Sequence, residues 1–213
     1  MSRPRVIFFD AVGTLFGVQG SVGAVYGELA RPFGVDVNPE LLNLAFFQTF
    51  RAATPMAFPG VSADDIAERE YAWWWAIAAE TFQSAGVLNR FTDFSAFFNR
   101  LYDHFATADP WSVYPDTLAT LTHWQNQGVE LGILSNFDSR IHRVLTALEL
   151  SPFFTSVTIS TEVGAAKPNP KVFAAALAKH SCSPSDAWHI GDSLQEDYEG
   201  AKAAGLRGIL LQR

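Results

Sequence analysis

The chain has 213 residues, 48% of them hydrophobic and 17% charged, enough for one large domain or a core with an insertion and too apolar for a disordered chain. A formal net charge of −7 argues against broad nucleic-acid binding, which needs Lys and Arg to neutralise phosphates, although a few local cations can still serve one small anionic substrate. Cys182 is the only cysteine, which excludes an intramolecular disulfide and a cysteine-rich zinc site.

The N-terminal stretch MSRPRVIFFD lacks the long apolar run of a signal peptide, and no window reaches the ~18 apolar residues of a membrane span. The expectation is a cytoplasmic protein that engages neither membrane nor nucleic acid. In chain order, the first apolar run is Val6–Phe9, which ends in one carboxylate, Asp10. The glycines of GVQGSVGAVYG, just after it, miss the G-x-G-x-x-G spacing and read as the entry to an insertion.

Residues 17–115 show helical periodicity and no convincing strand. They hold 19 of the 29 aromatic residues, so this segment is expected to pack its own core. Asp64–Ala85 is the clearest helix, with Ile66, Trp73, Trp74, Ile77 and Thr81 near one face. Trp73, Trp74 and Trp75 cannot all face one way, and at least two are expected in that core. Arg51 reads as a surface residue. Pro55, Pro59, Pro110 and Pro115 punctuate the segment.

From residue 116 onward the pattern changes. Apolar runs of strand length fall at Val129–Leu134, Val157–Ile159, Trp188–Ile190 and Gly208–Leu211. Helical stretches separate them: Ser139–Leu148, Pro170–Lys179 and the Ala-rich Asp197–Gly205. Continuous apolar strands imply burial on both faces, as in a parallel sheet covered by helices. The expected fold is α/β: a doubly wound, Rossmann-like parallel sheet (residues 1–16 and 116–213) with an all-helical cap (17–115) inserted after strand 1.

In open α/β sheets, ligands bind beyond the carboxyl ends of the strands. Those ends carry Asp10, then Ser135 and Asn136, then Thr161, Glu162 and Lys167, then Asp192 with Asp197 five residues on. A pair of acids can hold a divalent cation through oxygen ligands. Lys167 and the Ser135 hydroxyl can bind phosphate oxygens, leaving one carboxylate free to attack as a nucleophile. His189 reads as a buried or sheet-flanking histidine, and Ser135 has no local Ser-His-Asp support.

Four ordered stretches, FFDAVGTLF, LSNFD, VGAAKPNPKVF and GDSLQEDYEGAKAAG, resemble the motifs of the haloacid-dehalogenase-like (HAD) hydrolase superfamily, in its branch capped after the first motif. The resemblance implies a Mg²⁺-dependent phosphatase of a small phosphorylated metabolite, a phosphate ester or anhydride, acting through a phospho-aspartate. It makes Asp10 the nucleophile and gives the phosphoryl group to Ser135 and Lys167, with Thr14 supporting the first loop and Asn136 ordering the loop around Asp10. Metal ligation falls to Asp10, the main-chain carbonyl of Val12, Asp192 and Asp197, the last as a ligand or as a partner behind one. It also suggests a cis Lys167–Pro168 peptide that holds the lysine toward the phosphate.

Val12 departs from the phosphatase pattern, where a second Asp protonates the leaving alcohol and then activates water. Two alternatives therefore stand beside the phosphatase. One is a metal-independent 2-haloacid dehalogenase, whose relatives also lack that Asp. The other is a catalytically impaired binding protein on a hydrolase scaffold.

Overall fold

The computed structural model describes residues 3–213, which form two compact units. The first comprises the chain up to Gly17, Met56–Ile66 and Ser112–Arg213; the second comprises Val18–Pro55 and Ala67–Trp111.

The elements, in chain order, begin with β1 (Val6–Phe9) and β2 (Phe16–Val18), followed by helices α1 (Val22–Ala30), α2 (Pro39–Ala52), α3 (Ile66–Ser84) and α4 (Phe94–His104). Then come β3 (Trp111–Val113), α5 (Thr117–Asn126), β4 (Glu130–Ser135), α6 (Ile141–Ala147), β5 (Ser156–Ile159), α7 (Ser160–Val163) and α8 (Pro170–Ala178). The chain closes with β6 (Ala187–Gly191), a wide π-type turn at Leu194–Glu199, α9 (Gly200–Ala203) and β7 (Arg207–Leu210).

The first unit is built on a five-stranded sheet in the order β5-β4-β1-β6-β7, with every pairing parallel. β1 is central. Its Val6 and Phe9 lie opposite Glu130 and Ile133 on one side and Ala187 and Ile190 on the other. Successive strand residues point to opposite faces. Val6 and Phe8 join Leu134, Val172, Phe173, Ala176 and Ala201 in one core, beneath α8 and α9. Ile7 and Phe9 point the other way and are equally buried. Burial on both faces accounts for the unbroken apolar run in the sequence and confirms the doubly wound expectation.

The second unit contains the four helices α1–α4. Their starts are capped: Ser21 accepts from Ala24 N–H, Asp93 from Ala96 N–H, and Asn38 from both Glu40 and Leu41 N–H, with Pro39 at the first helical position. Its core joins Tyr26, Leu42, Phe46, Ile77, Phe82, Phe97, Phe98 and Leu101, with Trp73, Trp74 and Trp75 packed against it and partly buried. Phe82 is the hub, edge-on to Phe91 at 4.9 Å and to Phe97 at 5.2 Å. Phe82→Ala is therefore expected to destabilise this unit by about 3–5 kcal/mol, read as a lowered denaturation midpoint.

Three expectations need correction. Residues 17–115 do contain strand: part of β2, and β3, which pair as a two-stranded sheet. At three residues each, they are too short for a period-2 pattern to register. The segment 56–66 lies in the first unit and not with the helical insertion; there the Ser160 hydroxyl donates to Met56 C=O at 2.6 Å. The helical turn expected from Asp197 starts earlier, at Leu194, behind a Ser193 cap that accepts from Glu196 N–H. Among the described residues, no helix is long and apolar enough to cross a membrane.

Candidate active site

The eight candidate site residues all lie in the first unit: Asp10, Val12 and Thr14 at and after the carboxyl end of β1, Ser135 and Asn136 at that of β4, Asp192 and Asp197 after β6, and Lys167 in the loop between α7 and α8, beyond β5. β1 continues its ladder one step, with Asp10 N–H donating to Ile190 C=O at 2.9 Å. The chain then turns sharply as Ala11 C=O accepts from the N–H groups of Thr14, Leu15 and Phe16. Gly13 adopts φ +90°, and a Cβ built on it would lie 2.4 Å from Asp192 Oδ2. Glycine is required there twice over, by backbone conformation and by the close approach of that carboxylate. Thr14 Oγ1 donates to Asp192 Oδ1 across 3.4 Å, a long bond. Val12 is half-buried and bridges to Phe16.

Asp10 is 7% exposed. Its Oδ1 accepts from Ser135 Oγ at 2.9 Å and from Lys167 Nζ at 2.7 Å. Its Oδ2 takes no hydrogen bond from the described residues. Two donors thus fix the carboxylate's orientation and leave one oxygen available. Lys167 Nζ also donates to Asp197 Oδ1 at 2.5 Å, so the buried ammonium sits between two acids. Burial alone would lower its pKa, but Asp10 and Asp197 outweigh burial and the net shift is upward, which keeps the ammonium charged.

Asp197 has both oxygens engaged. Oδ1 takes the Lys167 ammonium and His189 Nε2 at 2.8 Å, and Oδ2 takes Ser193 N–H at 2.9 Å. Burial opposes its ionisation, but the hydrogen bond from His189 and the charge and hydrogen bond of Lys167 prevail and hold its carboxyl well below the usual carboxylate range. With Asp197 ionised, the His189 Nε2 must be the donor, and burial keeps the imidazole neutral by pushing its pKa down. A Cβ on Gly191 would lie 2.1 Å from Asp197 Cγ, so only glycine leaves room for this acid behind the strand end.

Asp192 is exposed as a residue, yet its carboxyl is partly desolvated. That desolvation, followed by the charges of Asp10 and Asp197, raises its pKa. Asp10, Asp192 and Asp197 each present a carboxylate oxygen within 4.8 Å of the others. Three carboxylates against one lysine leave two negative charges unbalanced.

Asn136 has a different task from the one expected. It orders the loop carrying Lys167 and not the loop around Asp10: its Oδ1 accepts from Lys167 N–H at 2.7 Å and its Nδ2 donates to Lys167 C=O at 3.1 Å. The same Nδ2 donates to Glu196 at 3.0 Å. The Lys167–Pro168 peptide is cis, as the resemblance suggested. Glu162 pairs with His142 at 3.2 Å and takes no part in the cluster.

Sequence reasoning missed two neighbours, His189 behind Asp197 and Glu196 beside Asn136. The available signal for His189 was a polar residue at a fully buried position, five residues before the start of the acid-bearing turn. A buried polar ring needs a partner, and Asp197 is the acid within reach.

A family model described as haloacid dehalogenase-like hydrolase matches residues 4–205. The chain is 33% identical over 208 residues to haloacid dehalogenase-like hydrolase domain-containing protein 3 of Mus musculus, covering 97% of this chain and 81% of that protein. Among solved structures it is similar to a HAD phosphatase from Thermococcus onnurineus (TM-score 0.62, 24% identity, 98% of this chain and 86% of the other). It is also similar to the L-2-haloacid dehalogenase of Xanthobacter autotrophicus with chloropropionic acid covalently bound (TM-score 0.65, 18% identity, 95% and 75%). At those identities the two structures speak to the fold, which is shared. The length of the family match, together with the mouse relative, establishes that the chain belongs to the haloacid dehalogenase-like hydrolases.

Proposed function

We propose that the protein is a Mg²⁺-dependent phosphatase of a small phosphorylated metabolite, working through a phospho-aspartate at Asp10. The observation that carries this reading is the Asp10, Asp192 and Asp197 cluster around the single buried lysine. Massed carboxylates are costly unless compensated, and the two unbalanced charges match one divalent cation. The donor set is all oxygen, which suits a hard ion. Asp10, the main-chain carbonyl of Val12 and Asp192 would hold Mg²⁺, which when bound offsets negative charge on the phosphoryl oxygens. Asp197 stands behind them as the anchor of Lys167, since both its oxygens already accept protein hydrogen bonds.

The chain's own residues carry the rest. One oxygen of Asp10 attacks phosphorus; a bond forms from Asp10 to phosphorus and the bond to the leaving oxygen breaks. Ser135 and Lys167 donate to phosphoryl oxygens in place of the Asp10 oxygen they now hold. Water then hydrolyses the acyl phosphate and restores Asp10. Val12 can neither give a proton to the leaving group nor take one from water. The reading therefore favours leaving groups that depart as stable anions, as from acyl or aryl phosphates.

The same Val12 is the specific support for a second reading, the 2-haloacid dehalogenase. There Asp10 attacks carbon, halide leaves without a proton, and no metal is required. Asp192 weighs against it, because an acid beside two others has no use in that chemistry. Calorimetry and thermal unfolding separate the readings. Mg²⁺ with beryllium fluoride should raise the melting temperature of the wild type, and Asp192→Asn should abolish that gain; saturation at a hundred times Kd is worth about 2.7 kcal/mol. No Mg²⁺ binding under those conditions would favour the dehalogenase.

A further inference from the structure

His189 is the buried polar ring that the chemistry above leaves without a task. It is fully buried, on the face of β6 that it shares with Phe8, its register partner on β1, and its ring stands edge-on to Phe173 at 5.6 Å. An imidazole among apolar side chains is costly unless its polar atoms are satisfied. Only one is: Nε2 donates to Asp197 Oδ1 at 2.8 Å, whereas Nδ1 has no partner among the described residues. An apolar residue of similar size would fill the same space without an orphaned nitrogen, so the one hydrogen bond is what sets a histidine apart here.

That bond lands on an oxygen shared with Lys167. Asp197 Oδ1 takes His189 Nε2 and Lys167 Nζ, the latter at 2.5 Å, while Ser193 N–H holds Oδ2 at 2.9 Å, so donors on both oxygens fix the plane of the carboxylate. An ammonium carries three hydrogens. Lys167 places one on Asp197 and one on Asp10 Oδ1 at 2.7 Å, which leaves the third for a phosphoryl oxygen. Without the imidazole, Oδ1 would have room for a second ammonium hydrogen, and Asp10 or the substrate would lose one. The donor at this place must also be neutral. A second cation would compete with Lys167 for the charge of Asp197 and repel it.

We propose that His189 is a positioning residue for Lys167: its Nε2–H occupies Asp197 Oδ1, holds that acid in one orientation, and so keeps the lysine ammonium reaching forward to Asp10. The imidazole never touches substrate and acts through two other side chains. Its effect on turnover rests on the phosphatase reading; its effect on the place of Lys167 does not.

Two variants test this. His189→Leu removes the donor, and His189→Gln offers an amide N–H at a similar reach. With acetyl phosphate and Mg²⁺, His189→Leu should lower kcat by about 10–100-fold, the scale of a reacting group displaced by ~1 Å, with a much smaller change in KM. His189→Gln should recover most of the loss. A ring that serves packing alone would instead lower the melting temperature of both variants and leave the kcat of the folded protein unchanged. In a crystal structure of His189→Leu, Lys167 Nζ should stay on Asp197 and lie beyond hydrogen-bond reach of Asp10 Oδ1. If the wild type turns over no phosphate, the phosphatase reading fails and that structure still decides the role of His189. If His189→Leu does not fold, ¹⁵N NMR of the wild-type ring decides it, since the proton must sit on Nε2. The proposal is overturned by an unchanged kcat in His189→Leu, by a His189→Gln protein no better than His189→Leu, by a Lys167 that keeps its place on Asp10, or by a ring proton on Nδ1.

Discussion

Asp10→Asn should remove hydrolytic activity, with a fall on the order of 10⁴–10⁶, the scale seen when a covalent nucleophile is deleted. The fold should survive. Asparagine keeps the shape, and its amide oxygen still accepts from Ser135 and Lys167, which donate to Oδ1 at 2.9 and 2.7 Å. Removing one of three clustered carboxylates also relieves repulsion, so the melting temperature without metal should hold or rise. Turnover on phosphate esters and far-UV circular dichroism check both halves, with mass spectrometry to exclude deamidation back to aspartate. Full activity in a verified Asp10→Asn protein would move the chemistry away from this strand end.

Val12→Asp should do the opposite. If the site lacks only its general acid, the variant gains turnover on alkyl phosphates, by up to the ~10²–10⁴ that positioned acid–base catalysis supplies. On p-nitrophenyl phosphate the gain in the phosphorylation step should be much smaller, because that leaving group departs without a proton. Valine and aspartate are close in size, and position 12 is half-buried and not sealed in the core, so the substitution has room. The new acid joins Asp10, Asp192 and Asp197, and its benefit should therefore depend on Mg²⁺. Steady-state kinetics on one alkyl and one aryl phosphate, with Mg²⁺ and with EDTA, read the difference. A variant that gains on neither ester would count against a phosphatase missing only its acid.

The parts of this molecule that could be read in the sequence share a physical reason. Val6–Phe9 is apolar without interruption because both faces of β1 are covered, and such a run announces its own end when a carboxylate follows. β4, ending at Ser135, is also buried almost throughout, while β6, ending at Gly191, carries the buried His189 among its apolar residues; three strand ends and their polar residues could still be placed on one rim before any contact was known. What stayed hidden depends on contacts between distant residues. Asn136 and Lys167 are 31 positions apart, and nothing local reveals that the amide clasps both backbone groups of the lysine. Asp197 reads as one more acid of a metal site, and only the approach of Lys167, His189 and Ser193 shows that its oxygens are already taken. Segment 56–66 lies among aromatic-rich helical sequence, yet its tie to Ser160 is a single long-range hydrogen bond with no periodic signature. Val12 was visible at once as a departure, because the role it vacates depends on a side chain and on nothing around it.

The central claim is that Asp10 accepts a phosphoryl group. Its most direct test is to mix the wild-type protein with acetyl phosphate and Mg²⁺, quench in acid, and look by mass spectrometry for one phosphoryl group on the peptide containing Asp10. The account predicts labelling that requires Mg²⁺, is lost in Asp10→Asn, and persists because Val12 cannot activate the water that would clear it. No label under these conditions, together with halide release from 2-haloacids in the presence of EDTA, would contradict it.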